Sequence, residues 1–397
     1  MTPTVLVTDG EQRATLAVVR SLGRAGYRLV VASTRGQSLA GASRYAGGEI
    51  AAGDSLRNPE AFGDTIVRAV RERAVDVLLP IADGALLALL PRRDELFPCI
   101  VPFPALEQVR QVADKRLVAD AALACGIAVP DQTVLSAPAD AAGRDGKAVA
   151  FPLVVKPSRA VSDVTDGRRN KHLVAYARDT RELTRVLALM PHHAYPVLLQ
   201  QRVVGPGVGI FLLLWDGQLA ATFAHRRIRE KPPAGGVSVY RESIPADPDL
   251  VSRSRALLDR FAWTGVAMIE YKIEAASGTP YLMEINGRFW GSLQLAIDAG
   301  VDFPRLLVAR ALGGPAEPPP SYRTGVRSRW WLGDVDHLLA RLRRSPEKLA
   351  LPPGSPGRWA ALRDFLVLWR PGDRNEILRW SDAAPALREL SEWLHRR

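Results

Sequence analysis

Cysteine is nearly missing from this chain, with only Cys99 and Cys125 among 397 residues. Two cysteines without metal-ligand spacing exclude a disulfide framework and a cysteine-rich zinc site, so a reducing cytoplasm is the expected location. Long apolar runs are missing too. The richest, "VDVLLPIADGALLALLP", is broken by Pro80 and Asp83 and is too short to span a bilayer. No basic segment leads into an apolar one at the start, so no signal peptide is expected. The first strand-like run is not followed by G-x-G-x-x-G, which removes the dinucleotide fingerprint, and no G-x-S-x-G marks a hydrolase nucleophile. The six histidines include His192-His193, which read as surface residues at a helix end.

What is present is the composition of an ordinary globular protein, 47% apolar and 24% charged, long enough for two or three domains. The formal charge of +11 raises the question of nucleic acid. The basic residues are dispersed and accompany no finger, RNA-binding or basic-helix motif, so specific nucleic-acid binding is not expected. A basic surface or a small anionic substrate accounts for the charge equally well.

The order of elements is informative. "TVLVTDG", a helical stretch from Thr15 to Ala25 and "YRLVVAS" form a strand–helix–strand unit, so a parallel sheet is expected over residues 1–100. "ADKRLVADAALACGIAVP" reads as a helix carrying Lys115. "FPLVVKP" is a strand ending in Lys156, before a polar loop with Ser158, Ser162, Thr165 and Gly167. "YPVLLQQRVVGPGVGIFLLLWDGQLAATFAHRRI" reads as three strands, the last two joined by the hairpin signal "WDGQ". "GVAMIEYKIE" and "TPYLMEINGRF" pair across "AASG". After the proline-rich "GGPAEPPP" the chain becomes rich in Trp and Arg and reads as helical.

Residues two apart on a strand share a face, which puts Glu284 and Asn286 together. Glu270 lies 14 residues earlier, and an antiparallel hairpin would bring it beside Glu284. Two carboxylates and an amide oxygen are hard ligands suited to Mg²⁺ held together with phosphates. The alternative is a polar strand face in solvent, against which the flanking "AMIE" and "LMEI" runs argue. Lys156 either snorkels outward or meets a phosphate closed over by the loop after it.

In this order the pieces resemble the ATP-grasp superfamily over roughly residues 1–312. The resemblance implies an α/β fold, α+β in the catalytic part. It places a Rossmann-like domain at 1–100 and an ATP-grasp domain at 101–317, with a lid lobe at about 128–200 and a catalytic lobe at about 201–312. A C-terminal helical extension fills 318–397. It further implies that Lys115, Lys156 and Ser158 contact nucleotide phosphates and that Gln200, Gln201, Arg202 and Val203 line an adenine pocket. Glu270, Glu284 and Asn286 would hold Mg²⁺, with two ions expected and Mn²⁺ an alternative. Arg288 would steady the transferred phosphoryl group. Family members often carry acidic residues where Gln200–Gln201 and Gly207 stand here, so the ribose contact departs from the pattern.

Within the superfamily, "HRRIREKPPAGGVSVYRES" and "EINGRFWGSLQLAIDAGVDFP" resemble predicted ATP-dependent carboligases related to D-aspartate ligases. That implies ATP, a small carboxylate and an amine as partners. Activation passes through an acyl-phosphate, which needs no nucleophilic side chain. Alternate members of the basic strand end at His225–Arg229, namely Arg227 and Arg229, are expected to face the cleft and grip the carboxylate. Gly236, Glu242 and Ser292 are expected nearby. Carboxylation through carboxyphosphate and a non-catalytic nucleotide-binding protein are the alternatives. The Trp-rich tail reads as packing or a homodimer contact.

Overall fold

A computed structural model describes residues 2–395 except 142–149, 165 and 353; Thr165 of the polar loop lies outside the described residues. The chain opens with a parallel sheet of β1 (Thr4–Val7), β2 (Arg28–Ser33), β3 (Glu49–Ala51) and β4 (Val77–Leu79) in the order β3-β2-β1-β4. Helices Arg13–Arg24 and Pro59–Glu72 make the crossovers. The second starts where its sequence says it should: the Asn58 side chain accepts from the Ala61 N–H at 3.1 Å and Pro59 supplies a preset first turn.

A second sheet holds β5 (Gln132–Leu135), β6 (Leu153–Pro157), β9 (Ala175–Ala177) and β10 (Val197–Gln201), all antiparallel in the order β5-β10-β6-β9. Between β6 and β9 the chain forms a small hairpin of β7 (Val161–Asp163) and β8 (Arg169–Lys171). This lobe has its own small core, in which Leu153, Val155, Val197 and Leu199 pack with Leu187 of the helix Thr180–Ala188.

The third sheet has seven strands: β11 (Gly207–Trp215), β12 (Gln218–Lys231), β13 (Val237–Ser243), β14 (Gly265–Ile273), β15 (Pro280–Asn286), β16 (Arg327–Arg329) and β17 (Asp373–Asn375). Their order is β15-β14-β11-β12-β13-β16-β17. Asp216 and Gly217 both adopt positive φ, 50° and 70°, the tight turn that the "WDGQ" signal calls for between β11 and β12. One continuous apolar core runs from the first sheet into this one.

The C-terminal stretch is not only helical. β16 and β17 extend the third sheet, and helices Trp331–Arg343, Arg358–Leu366 and Ala384–His395 follow or separate them. Three-residue strands rich in Arg, Ser and Asn carry almost no apolar alternation, so only their pairing, β16 with β13 and β17 with β16, reveals them. The stretch is also tied inward by buried ion pairs, Arg20 to Asp382 at 2.7 Å and Arg241 to Glu376 at 2.5 Å. The Trp-rich segment packs within the chain, with Arg13 over Trp330 and Arg329 over Trp331.

Candidate active site

Pairing of β14 with β15 sets Glu270 opposite Glu284 and Met268 opposite Asn286. The hairpin therefore gathers the two carboxylates and the amide on one sheet face, as their spacing predicts. The Asn286 amide donates to Glu284 Oε1 at 3.0 Å, and Arg288 donates to Asn286 Oδ1 at 3.1 Å. From the other side Lys115 Nζ approaches Glu284 Oε2 at 3.5 Å. Lys156 is buried near the end of β6 and its ammonium donates to the Met283 carbonyl at 3.4 Å. Ser158 joins this group through its backbone, since its carbonyl accepts from the Lys115 N–H at 2.9 Å.

These charges alter one another. Burial disfavours the Glu284 carboxylate, but Lys115, the Asn286 amide, Lys156 and Arg288 outweigh it and hold the group down to about 2. Glu270 moves upward instead, because burial and the nearby Glu284 together outweigh Arg227. Burial, reinforced by Lys115 and opposed by Glu284 and Glu270, brings Lys156 down to about 8. The face thus has one firmly ionised carboxylate beside one that gives up its charge more readily. No cluster of three or more His, Cys, Asp or Glu suited to a metal occurs among the described residues. Two carboxylates and an amide are an incomplete oxygen set, which fits an ion that completes its shell with phosphate oxygens and water, as Mg²⁺ does.

The residues expected to contact a nucleotide separate into two groups. Gln200 is buried, donates to Gln132 Oε1 at 3.0 Å, and lines a narrow cavity with Lys115, Lys156, Leu282 and Met283. Gln201 ends β10 with its side chain exposed, and Val203 is buried. Arg202 turns to the C-terminal stretch, stacking over Tyr176 at 4.7 Å and donating to the Ala350 carbonyl at 2.6 Å.

Of the basic pair expected in the cleft, only Arg227 faces it. It binds Glu270 Oε2 at 2.5 Å, Glu230 Oε1 at 2.8 Å and the Gly236 carbonyl at 3.1 Å. It reaches β14 because Gly207 lies between: a Cβ there would stand 2.9 Å from Arg227 Cδ. The space that a side chain at Gly207 would fill is taken by the stem of Arg227. Arg229 does not share this face. Register shifts on both sides of it break the alternation, and it is buried on Asp334 through two bonds of 2.7 and 2.6 Å. Glu242 is also away from the cleft, held by Arg226 and by Arg327 at 2.7 Å. Ser292 is buried just before the helix Leu293–Ala299 without capping it. His225 is buried against Phe211 and kept neutral by burial, Arg227 and Arg241.

Two residues at the site escape a reading of the sequence. Asp83, just past β4, binds Arg288 Nε at 2.9 Å and brings the first domain to the cleft. Its signal is a carboxylate beyond the C-terminal end of a parallel strand, a usual place for functional groups. Glu230 is hidden by the irregular register of β12, which puts it with Arg227 although the two are an odd number apart.

A parallel α/β domain, a small antiparallel lobe and a large, mainly antiparallel sheet with paired carboxylates define the ATP-grasp fold. Residues 193–333 match the family described as "ATP-grasp in the biosynthetic pathway with Ter operon". No curated protein matches. Among solved structures, the L-amino acid ligase from Bacillus licheniformis is similar with a TM-score of 0.61 at 15% identity, over 80% of this chain and 78% of that one. The N5-carboxyaminoimidazole synthetase from Staphylococcus aureus complexed with ADP gives 0.60 at 13% identity, over 81% of each. The biotin carboxylase domain of the Hydrogenobacter thermophilus 2-oxoglutarate carboxylase, with MgADP and bicarbonate, gives 0.62 at 14% identity, over 82% and 73%.

Proposed function

We propose that this chain is an ATP- and Mg²⁺-dependent ligase that activates a small carboxylate as an acyl-phosphate and joins it to an amine, releasing ADP and phosphate. The observation that carries the reading is the convergence of Glu270, Glu284 and Asn286 with Lys115, Lys156 and Arg288 from three separate parts of the chain. Mg²⁺ bound there would offset charge on the migrating phosphoryl group. Glu284, Glu270 and Asn286 would hold the ion, Lys115 and Lys156 the phosphates. Arg288, fixed by Asp83 and Asn286, would stabilise the charge that develops as the phosphoryl group moves. Arg227 orients Glu270 and would present its remaining N–H groups to the carboxylate substrate. The similar structures in complex with ADP or MgADP support the nucleotide and the metal, and the amino acid ligase among them supports the acid–amine chemistry.

The test is an ADP-release screen of amino acids and small carboxylates, singly and in pairs, with product masses read by mass spectrometry. A condensed amide supports the reading. A product heavier by carbon dioxide, formed only with bicarbonate, would replace it with carboxylation. Glu284→Gln should lower Mg²⁺-dependent ADP release by about three orders of magnitude without unfolding the protein; unchanged turnover removes Glu284 from the site.

A further inference from the structure

Behind the catalytic face lies a cavity of about 360 Å³ that shares only Arg227 with the proposed reaction. Four arginines line it, Arg226, Arg227, Arg327 and Arg370, together with Glu242 and two apolar residues. Successive side chains on a strand point to opposite faces, so Arg227 turns to Glu270 while Arg226 turns to the back. Glu242 is the one carboxylate in the lining, and it is buried and fully engaged. Its Oε2 takes Arg226 at 2.7 Å and its Oε1 takes Arg327 at 2.7 Å. Arg370 is held from outside the lining by Asp364 at 2.5 Å, and Arg227 is held on the cleft side. A single carboxylate therefore holds two guanidinium groups, which line one cavity together with that of Arg370.

We propose that this pocket is a second anion site, separate from the nucleotide cleft, which takes a small multivalent oxyanion of the phosphate type. Three guanidinium groups carried by β12, β16 and the segment before β17 approach from different directions. That arrangement suits a tetrahedral anion with several charged oxygens better than a planar carboxylate, which one arginine fork satisfies. Placed on the back of the sheet whose front carries Glu270, such a site would sense phosphate-bearing metabolites without competing for the nucleotide.

The experiment is titration calorimetry of the full chain with inorganic pyrophosphate in the absence of Mg²⁺, on wild type, Arg226→Gln and Lys156→Ala. Arg226 is 55% exposed and Arg327 still pairs with Glu242 without it, so Arg226→Gln keeps its fold, verified by circular dichroism. The expected result is that Lys156→Ala keeps one pyrophosphate site at its wild-type affinity, while in Arg226→Gln that site weakens at least about tenfold. Citrate, offering carboxylates, should bind more weakly than pyrophosphate to wild type. The reverse pattern, loss in Lys156→Ala and none in Arg226→Gln, puts the anion in the nucleotide cleft and overturns the proposal. So does the absence of binding to wild type, or citrate binding as tightly as pyrophosphate.

Discussion

Lys156 shows how a single residue carries opposed forces. Burial favours its neutral form, while the carboxylates of Glu284 and Glu270 favour the charged one, and the balance leaves it near 8. Only the protonated form attracts phosphate, so its contribution is present below about pH 8 and lost above it. Affinity for Mg²⁺-free ADP should fall by about five- to tenfold between pH 7 and 9.5. Lys156→Arg should flatten that profile, and titration calorimetry at each pH checks both. Asp83 acts through another residue. Asp83→Asn removes the ion pair that fixes Arg288 and should lower kcat about tenfold with little change in KM for ATP. Steady-state kinetics resolve the two terms, and an effect on KM alone would make Asp83 a binding residue instead.

At the scale of elements, local register decides what a strand presents. β12 would alternate cleanly from His225 to Lys231 were it regular, and its shifts around Arg229 send neighbouring arginines to different tasks. The loop entering β11 is equally constrained. Gly205 has φ near 157°, and a Cβ there would lie 1.8 Å from the Ile273 carbonyl oxygen. Gly217, in the β11–β12 turn, has positive φ but open space around it. Gly205→Ala should cost about 3 kcal/mol, and Gly217→Ala about 1 kcal/mol, in urea unfolding. Equal costs would show that backbone conformation alone, not the carbonyl contact, sets the requirement at Gly205.

For the whole molecule, the C-terminal stretch behaves as part of the catalytic body. β16 pairs with β13, and Asp334, Glu376 and Asp382 neutralise Arg229, Arg329, Arg241 and Arg20, all buried. Removing one partner of a buried pair costs about 3–5 kcal/mol, and several such losses exceed the stability of an ordinary domain. A chain cut after residue 317 should therefore lack a cooperative unfolding transition by circular dichroism. A truncated protein that melts as sharply as the full chain would show the stretch to be a separable addition. The small lobe built on β5, β6, β9 and β10 differs, since its core is its own.

The sequence by itself determined the parts whose chemistry is local. Strand alternation put Glu284 with Asn286, hairpin spacing brought Glu270 to them, and turn residues marked where β11 gives way to β12. The order of the lysines and the paired carboxylates was enough to indicate the ATP-grasp fold. Tertiary structure alone decided which arginine reaches the cleft, that Asp83 crosses from the first domain to Arg288, and that short polar strands near the end of the chain complete the main sheet. Those outcomes rest on register shifts and on pairings between residues far apart in the chain. Periodicity within a short window carries no trace of either, because the partner that fixes each side chain is not in the window.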